Sequence, residues 1–171
     1  MSLTDSLLSG DDCKNCRLCC WFTKYDLWET PVIDDSLREI ISERYPETKF
    51  VSRDKGSYVF VMTETPQTDP LFADHPEPTR FDCPMLSTDG CRLGNDKPFE
   101  CQIWPYRIMS QEGKLLISLS LLCKPICENS FTSVISLLKS GLADKIIAYS
   151  KIHPCIIKEY TDGYPILMYI K

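Results

Sequence analysis

In the stretch DDSLREIISERYPE, the apolar side chains Leu37, Ile40 and Ile41 fall on one face of a helix. Asp34 or Asp35 supplies the N-cap and Pro46 the stop, so a short amphipathic helix is expected. The period then changes. TKFVSRDKGSYVFVMTE carries aromatic and β-branched residues on both sides of Asp54-Lys55-Gly56, which predicts two strands joined as a hairpin. Thr65 to Arg80 holds four prolines and no periodicity, and reads as a surface loop. Residues 83 to 107, rich in Cys, Pro and Gly, predict knuckles and turns. GKLLISLSLL predicts a strand and PICENSFTSVISLLKSG a helix, with Pro125 in its first turn and Gly141 at its break. LADKIIAYSKI gives another helix ended by Pro154, and YPILMYIK a last strand. There is no internal repeat. Together these elements make a single α+β domain over residues 1–171, with a short antiparallel sheet, several helices and irregular cysteine-rich loops.

Composition narrows what such a domain does. At 171 residues the chain can bury a real core without cross-links, so its ten cysteines are not explained by smallness. A net charge of -5 and the lack of a Lys/Arg run argue against a general nucleic-acid binder. MSLTDSLLSGDD has neither a basic n-region nor a long apolar h-region, and the apolar run at residues 115 to 123 is too short to span a bilayer. A cytoplasmic protein without membrane contact is the expectation, and in a reducing compartment cysteines serve as ligands or catalysts more often than as disulfides.

The cysteines fall into groups. Cys13, Cys16, Cys19 and Cys20 lie within DDCKNCRLCC, two successive C-x2-C steps sharing Cys16. This spacing lets two thiolates of one tight turn face the same ion. Neighbouring side chains diverge, so Cys19 and Cys20 are expected to serve different metal positions, unless one of them is a reactive thiol. One would complete a site with Cys13 and Cys16, and the other would point toward Cys83, Cys91 and Cys101. Cys123 and Cys127 sit four apart at the start of the predicted helix, and Cys155 stands alone. All-thiol surroundings favour zinc or iron–sulfur clusters over oxygen-loving ions. His75 and His153 lie outside the clusters. Asp89, Asp96 and Glu100 read as solvated loop charges rather than bases. Trp104, Pro105 and Tyr106 could screen a cluster from water, with plain core packing as the alternative. No Gly-rich phosphate loop is present.

C-x2-C-x2-C-C, then CPML at Cys83, Cys91, and KPFECQIWP around Cys101 resemble the bacterial and archaeal CxxCxxCC proteins described as zinc- or iron-chelating or iron–sulfur-cluster-containing. LSLLCKPIC is similar to the last cysteine segment of that family and to the cysteine module of flagellin lysine-N-methylases. The resemblance covers about residues 13 to 127. It implies a metal centre with Cys13, Cys16, Cys19, Cys20, Cys83, Cys91, Cys101 and Cys123 at the matching positions. The chain is far shorter than the methylases.

Three functions follow as expectations. The first is an iron–sulfur or redox module with all-cysteine ligation, in which Trp104 and Tyr106 limit solvent access to the cofactor and a protein redox partner is implied. The second is a zinc-stabilised binding scaffold without catalysis. The third is a protein-modifying enzyme related to lysine-N-methylases.

Overall fold

Ser9 starts the first helix through a reciprocal cap. Its Oγ accepts the Asp12 N–H at 3.1 Å, while Asp12 Oδ2 accepts the Ser9 N–H at 2.9 Å. The computed structural model describes residues 3–22, 25, 28–54, 56–66 and 79–170. Helix α1 (Gly10–Cys16) is one of the shortest ways to present a C-x2-C pair on one face. It ends because Arg17 adopts the left-handed conformation, φ 58°, and its N–H returns to the Cys13 carbonyl. A 3₁₀ turn (Leu18–Cys20) and strand β1 (Trp21–Phe22) follow.

β2 (Ile33–Asp34) leads into α2 (Asp35–Arg44), where Asp34 is the cap and accepts the Leu37 N–H at 2.9 Å. Ile41 is buried and Leu37 packs beside it, whereas Ile40 is 43% exposed. The expected apolar face is therefore narrower than the sequence implied, because only one side of α2 is covered. β3 (Phe50–Arg53) and β4 (Ser57–Phe60) form the expected hairpin around Asp54 and Gly56, and β4 also pairs with β2. β5 (Thr63–Pro66) pairs antiparallel with β6 (Thr79–Asp82), and β6 with β1. The ends of the expected loop at Thr65 to Arg80 are thus strands. Pro66 fits because it ends an outer strand, where a missing N–H costs no ladder bond. The centre of that loop, with His75, lies outside the described residues, as does Lys55 of the hairpin turn.

β7 (Leu86–Ser87) and β8 (Gly90–Cys91) make a two-stranded turn, and α3 (Phe99–Gln102) carries Cys101. β9 (Tyr106–Gln111) and β10 (Lys114–Leu119) close through Glu112 and Gly113, both with positive φ, the geometry a two-residue hairpin loop requires. The expected helix from Pro125 to Gly141 is divided. α4 (Lys124–Glu128) stops at Asn129, and α5 (Phe131–Leu137) restarts because Ser130 caps it, its Oγ accepting the Ser133 N–H at 3.1 Å. A local side-chain cap outcompetes helix continuation at this serine. A wide turn (Leu138–Leu142) contains Gly141 at φ 111°, and α6 (Ala143–Ile152) ends before Pro154. β11 (Lys158–Glu159) adds parallel to β9, and β12 (Ile166–Tyr169) antiparallel to β10, giving the order β11-β9-β10-β12. The fold is α+β, built on several short and mostly antiparallel sheets. Among the described residues no helix is long and apolar enough to cross a membrane.

Two apolar clusters hold these pieces. One joins β9 and β10 to α4, α5 and α6 through Tyr106, Ile108, Ile117, Ile126, Leu138 and Ile146. The other joins β2, β4, α2 and the turn before β7 through Ile33, Ile41, Phe60 and Met85. Val32 enters the first and Ile33 the second, as alternation along an extended chain dictates. At this junction Glu100 Oε2 accepts the Val32 N–H at 2.7 Å, and Glu100 Oε1 lies 3.2 Å from Lys158 Nζ. Lys158 is 5% exposed and also donates to the Thr30 carbonyl. Glu100 is therefore not the solvated loop charge that the sequence suggested. Lys158→Met leaves a buried carboxylate without its cation, and about 3–5 kcal/mol of stability should be lost. The double variant Glu100→Gln/Lys158→Met keeps an acceptor for Val32 and should lose much less. Urea denaturation of both variants checks this, and a double variant that loses as much as Lys158→Met would remove the pair's assigned role.

Candidate metal centre

The chain brings the thiols together by three devices. Left-handed Arg17 separates the α1 pair, Cys13 and Cys16, from Cys19 and Cys20 in the next turn, and its guanidinium ties down both sides by donating to Lys14 and Thr88 carbonyls at 2.8 Å each. The Cys83 N–H donates to the Cys20 carbonyl at 2.9 Å, which extends the β1–β6 pairing and sets the first and second cysteine groups side by side. Cys83 and Cys91 each open a tight turn, closed by the Leu86 N–H on the Cys83 carbonyl and the Gly94 N–H on the Cys91 carbonyl. These are the knuckles expected of residues 83 to 107.

Two adjoining cavities result. The larger is about 600 Å³ and is bordered by Cys13, Cys19, Cys20, Cys83, Cys91 and Cys101. The smaller, about 20 Å³, is bordered by Cys13, Cys16, Cys19 and Cys123, and has room for roughly one water-sized occupant. The eight cysteines singled out in the sequence all border one cavity or the other. Cys127 and Cys155 border neither. Cys127 is exposed and its thiol donates to the Leu121 carbonyl, while Cys155 packs against the first apolar cluster. Cys19 borders both cavities and Cys20 only the larger one. Cys19 thus adjoins two spaces and Cys20 one.

Electrostatics couple the same thiols. Burial pushes Cys83 up to about 12 and Cys123 to about 11. Burial also raises Cys101 strongly, with Cys19, Cys83 and Cys91 adding to the shift. Cys19 is raised first by its hydrogen bond with Cys20 and then by burial. Burial raises Cys13 and Cys91. Opposing these shifts, backbone N–H groups of Met85 and Leu86 favour the Cys83 thiolate, those of Leu93 and Gly94 favour Cys91, and that of Ile126 favours Cys123. The Lys97 ammonium acts the same way on Cys13, Cys19 and Cys91.

The donor set tests what this place could hold. Thiols dominate it, and two of the carboxylates along the wall are already engaged, Asp89 with Lys14 at 3.5 Å and Glu100 with Lys158. Among the described residues no group of three or more His, Cys, Asp or Glu side chains stands in a ready metal-holding arrangement. The chemistry fits a soft metal, and the arrangement is an open wall of thiols rather than a closed cage. Asp96 is turned away, bonded to Arg44 at 2.6 Å. The His153 ring stacks on Tyr149 with centroids 4.3 Å apart. Trp104 borders both cavities. Tyr106 reaches the larger cavity but is 1% exposed and donates its hydroxyl to the Val134 carbonyl at 2.9 Å, so it also serves as core. Lys97 and Arg107 line the larger cavity too, and the sequence pointed to neither, since a lone basic residue in a turn or strand carries no local signal.

No family model, curated protein or solved structure matches the chain.

The raised thiols set a pH dependence. Above the ordinary thiol value of 9.0 the unfolded metal-free chain sheds the Cys83 proton, while the folded chain holds it up to about 12. The stability this provides is fully present below 9.0 and is lost as pH rises toward 12. The melting temperature of reduced, metal-free protein should fall across that window, and Cys83→Ala should flatten the fall. An identical slope in the variant would show that Cys83 does not carry it.

Proposed function

We propose that the chain is a metal-binding protein in which Cys13, Cys16, Cys19, Cys20, Cys83, Cys91, Cys101 and Cys123 hold a soft metal, as an iron–sulfur or redox module. One observation carries this reading: these eight thiols border two adjoining cavities while the remaining two cysteines border neither. The resemblance of their spacing to CxxCxxCC proteins points the same way. An iron–sulfur cluster bound by such thiolates would supply one-electron transfer.

The chain's own residues have definite tasks in this reading. The N–H groups of Met85, Leu86, Leu93, Gly94 and Ile126 aim at sulfur and stabilise negative charge there. Lys97 offsets part of the charge that several thiolates accumulate. Trp104, bordering both cavities, keeps water from the sulfurs. Because burial keeps protons on Cys83, Cys101 and Cys123, loading at these positions releases protons and is stronger at higher pH. A cytoplasmic setting, which keeps thiols reduced, suits these ligands.

The smaller cavity supports a second reading. Four thiols around a space of about 20 Å³ suit a single zinc ion, which would make the domain a scaffold without chemistry of its own. Iron, zinc and acid-labile sulfide measured on anaerobically purified protein separate the two. Iron with sulfide supports the redox module, zinc alone the scaffold, and neither metal with intact disulfides ends both. Cys16→Ala and Cys101→Ala should each lower metal content and melting temperature together, whereas Cys127→Ser and Cys155→Ser should leave metal content unchanged. Cys19→Ser should cost more metal than Cys20→Ser, because Cys19 borders both spaces. Equal losses would show that the adjacent pair acts as one unit.

A further inference from the structure

The larger cavity has a second wall without cysteines. Arg107, on β9, places its guanidinium carbon 4.7 Å from the Trp28 ring centroid, 5.4 Å from that of Trp104 and 5.8 Å from that of Tyr164, and all four residues line the cavity. The rings are held before any ligand arrives. Trp28 donates its indole N–H to the Glu159 carbonyl at 2.8 Å, and its ring meets Tyr164 edge-on with centroids 5.2 Å apart. Trp104 also borders the smaller cavity, so this wall adjoins the thiols.

Arg107 is the feature that asks for a ligand. Among the described residues one hydrogen bond is recorded for its guanidinium, Nη1 to the Trp28 carbonyl at 3.0 Å, and no carboxylate pairs with it. A guanidinium has five donors in a planar fork that suits a carboxylate. Two of the acidic side chains along the cavity are engaged elsewhere, Asp89 with Lys14 and Glu100 with Lys158. At about 600 Å³ the space falls in the range of small-molecule pockets and far exceeds what one ion fills.

We propose that the Arg107 wall binds a flat organic carboxylate, its anion on the guanidinium fork and its apolar plane against Trp28 and Trp104, seated beside the thiols. The planar fork of the guanidinium matches a carboxylate, and the sequence has no Gly-rich cradle for a polyphosphate. Aromatic faces favour a planar body over a branched aliphatic one. The site goes beyond the metal-binding reading and does not depend on it, because none of its four residues is a thiol.

All three tryptophans, Trp21, Trp28 and Trp104, border this cavity, so intrinsic fluorescence reports on it directly. The probe is 4-nitrobenzoate, with neutral 4-nitrobenzyl alcohol and inorganic phosphate as controls, titrated into the protein as purified with its metal content recorded. Saturable 1:1 quenching is expected, with the alcohol about tenfold weaker or worse, no competition from phosphate, and a loss of about tenfold in Arg107→Lys, which keeps the charge and removes the fork. Tyr164→Ala, in the connection before β12, should weaken acid and alcohol alike, and far-UV circular dichroism confirms that both variants are folded. Equal binding of acid and alcohol, competition by phosphate, unchanged affinity in Arg107→Lys, or no saturable quenching up to ~10 mM would each overturn the site. Failure here leaves the metal content as measured, and a metal-free protein that binds the probe leaves this site standing.

Discussion

A carboxylate drawn partly out of water has to be answered by a cation and by hydrogen-bond donors, and Glu100 is answered by the buried Lys158 and by the backbone N–H of Val32. That requirement fixes where three distant segments meet. Val32 leads into β2, Glu100 directly precedes Cys101 on α3, and Lys158 opens β11 at the edge of the four-stranded sheet. With α3 placed, Cys101 is set against the other thiols, and Trp104 and Arg107 follow within six residues along the same segment. One ion pair thus helps to place a member of each wall of the larger cavity, Cys101 on one and Trp104 with Arg107 on the other.

The sequence was readable wherever the signal is local. Asp34 caps α2, Gly56 turns the β3–β4 hairpin and Gly141 bends the chain between α5 and α6, because capping, turn chemistry and backbone freedom act over a few residues. The cysteine groups were readable for the same reason, since knuckle spacing is local. What stayed hidden is nonlocal. Lys158 lies 58 positions from Glu100, and nothing in either neighbourhood marks them as partners. Arg107 gains its meaning from Trp28 and Tyr164, which approach it only through the fold. The division at Ser130 and the capping box at Ser9 were local and still missed, because each serine stood within a stretch read for other features.

The thiols face a conflict between burial and ionisation. Burial disfavours the thiolate, and the fold answers with backbone N–H groups and Lys97. At Cys83, Cys91 and Cys123 the two effects act on the same sulfur. The aromatic wall beside the thiols shares the same space and poses a different electrostatic problem, a cation held among π faces.

Val32 and Ile33 are adjacent in the chain and lie in separate apolar clusters. Each is fixed by the alternation of a strand, which has no intermediate setting. A single residue inserted between Thr30 and Asp34 would exchange the two directions, sending each side chain toward solvent or the wrong cluster, and would shift the N–H that Glu100 accepts. The segment from Thr30 to Asp34 is thus intolerant of changes in length, and insertions or deletions in natural variants of this chain belong in its loops instead.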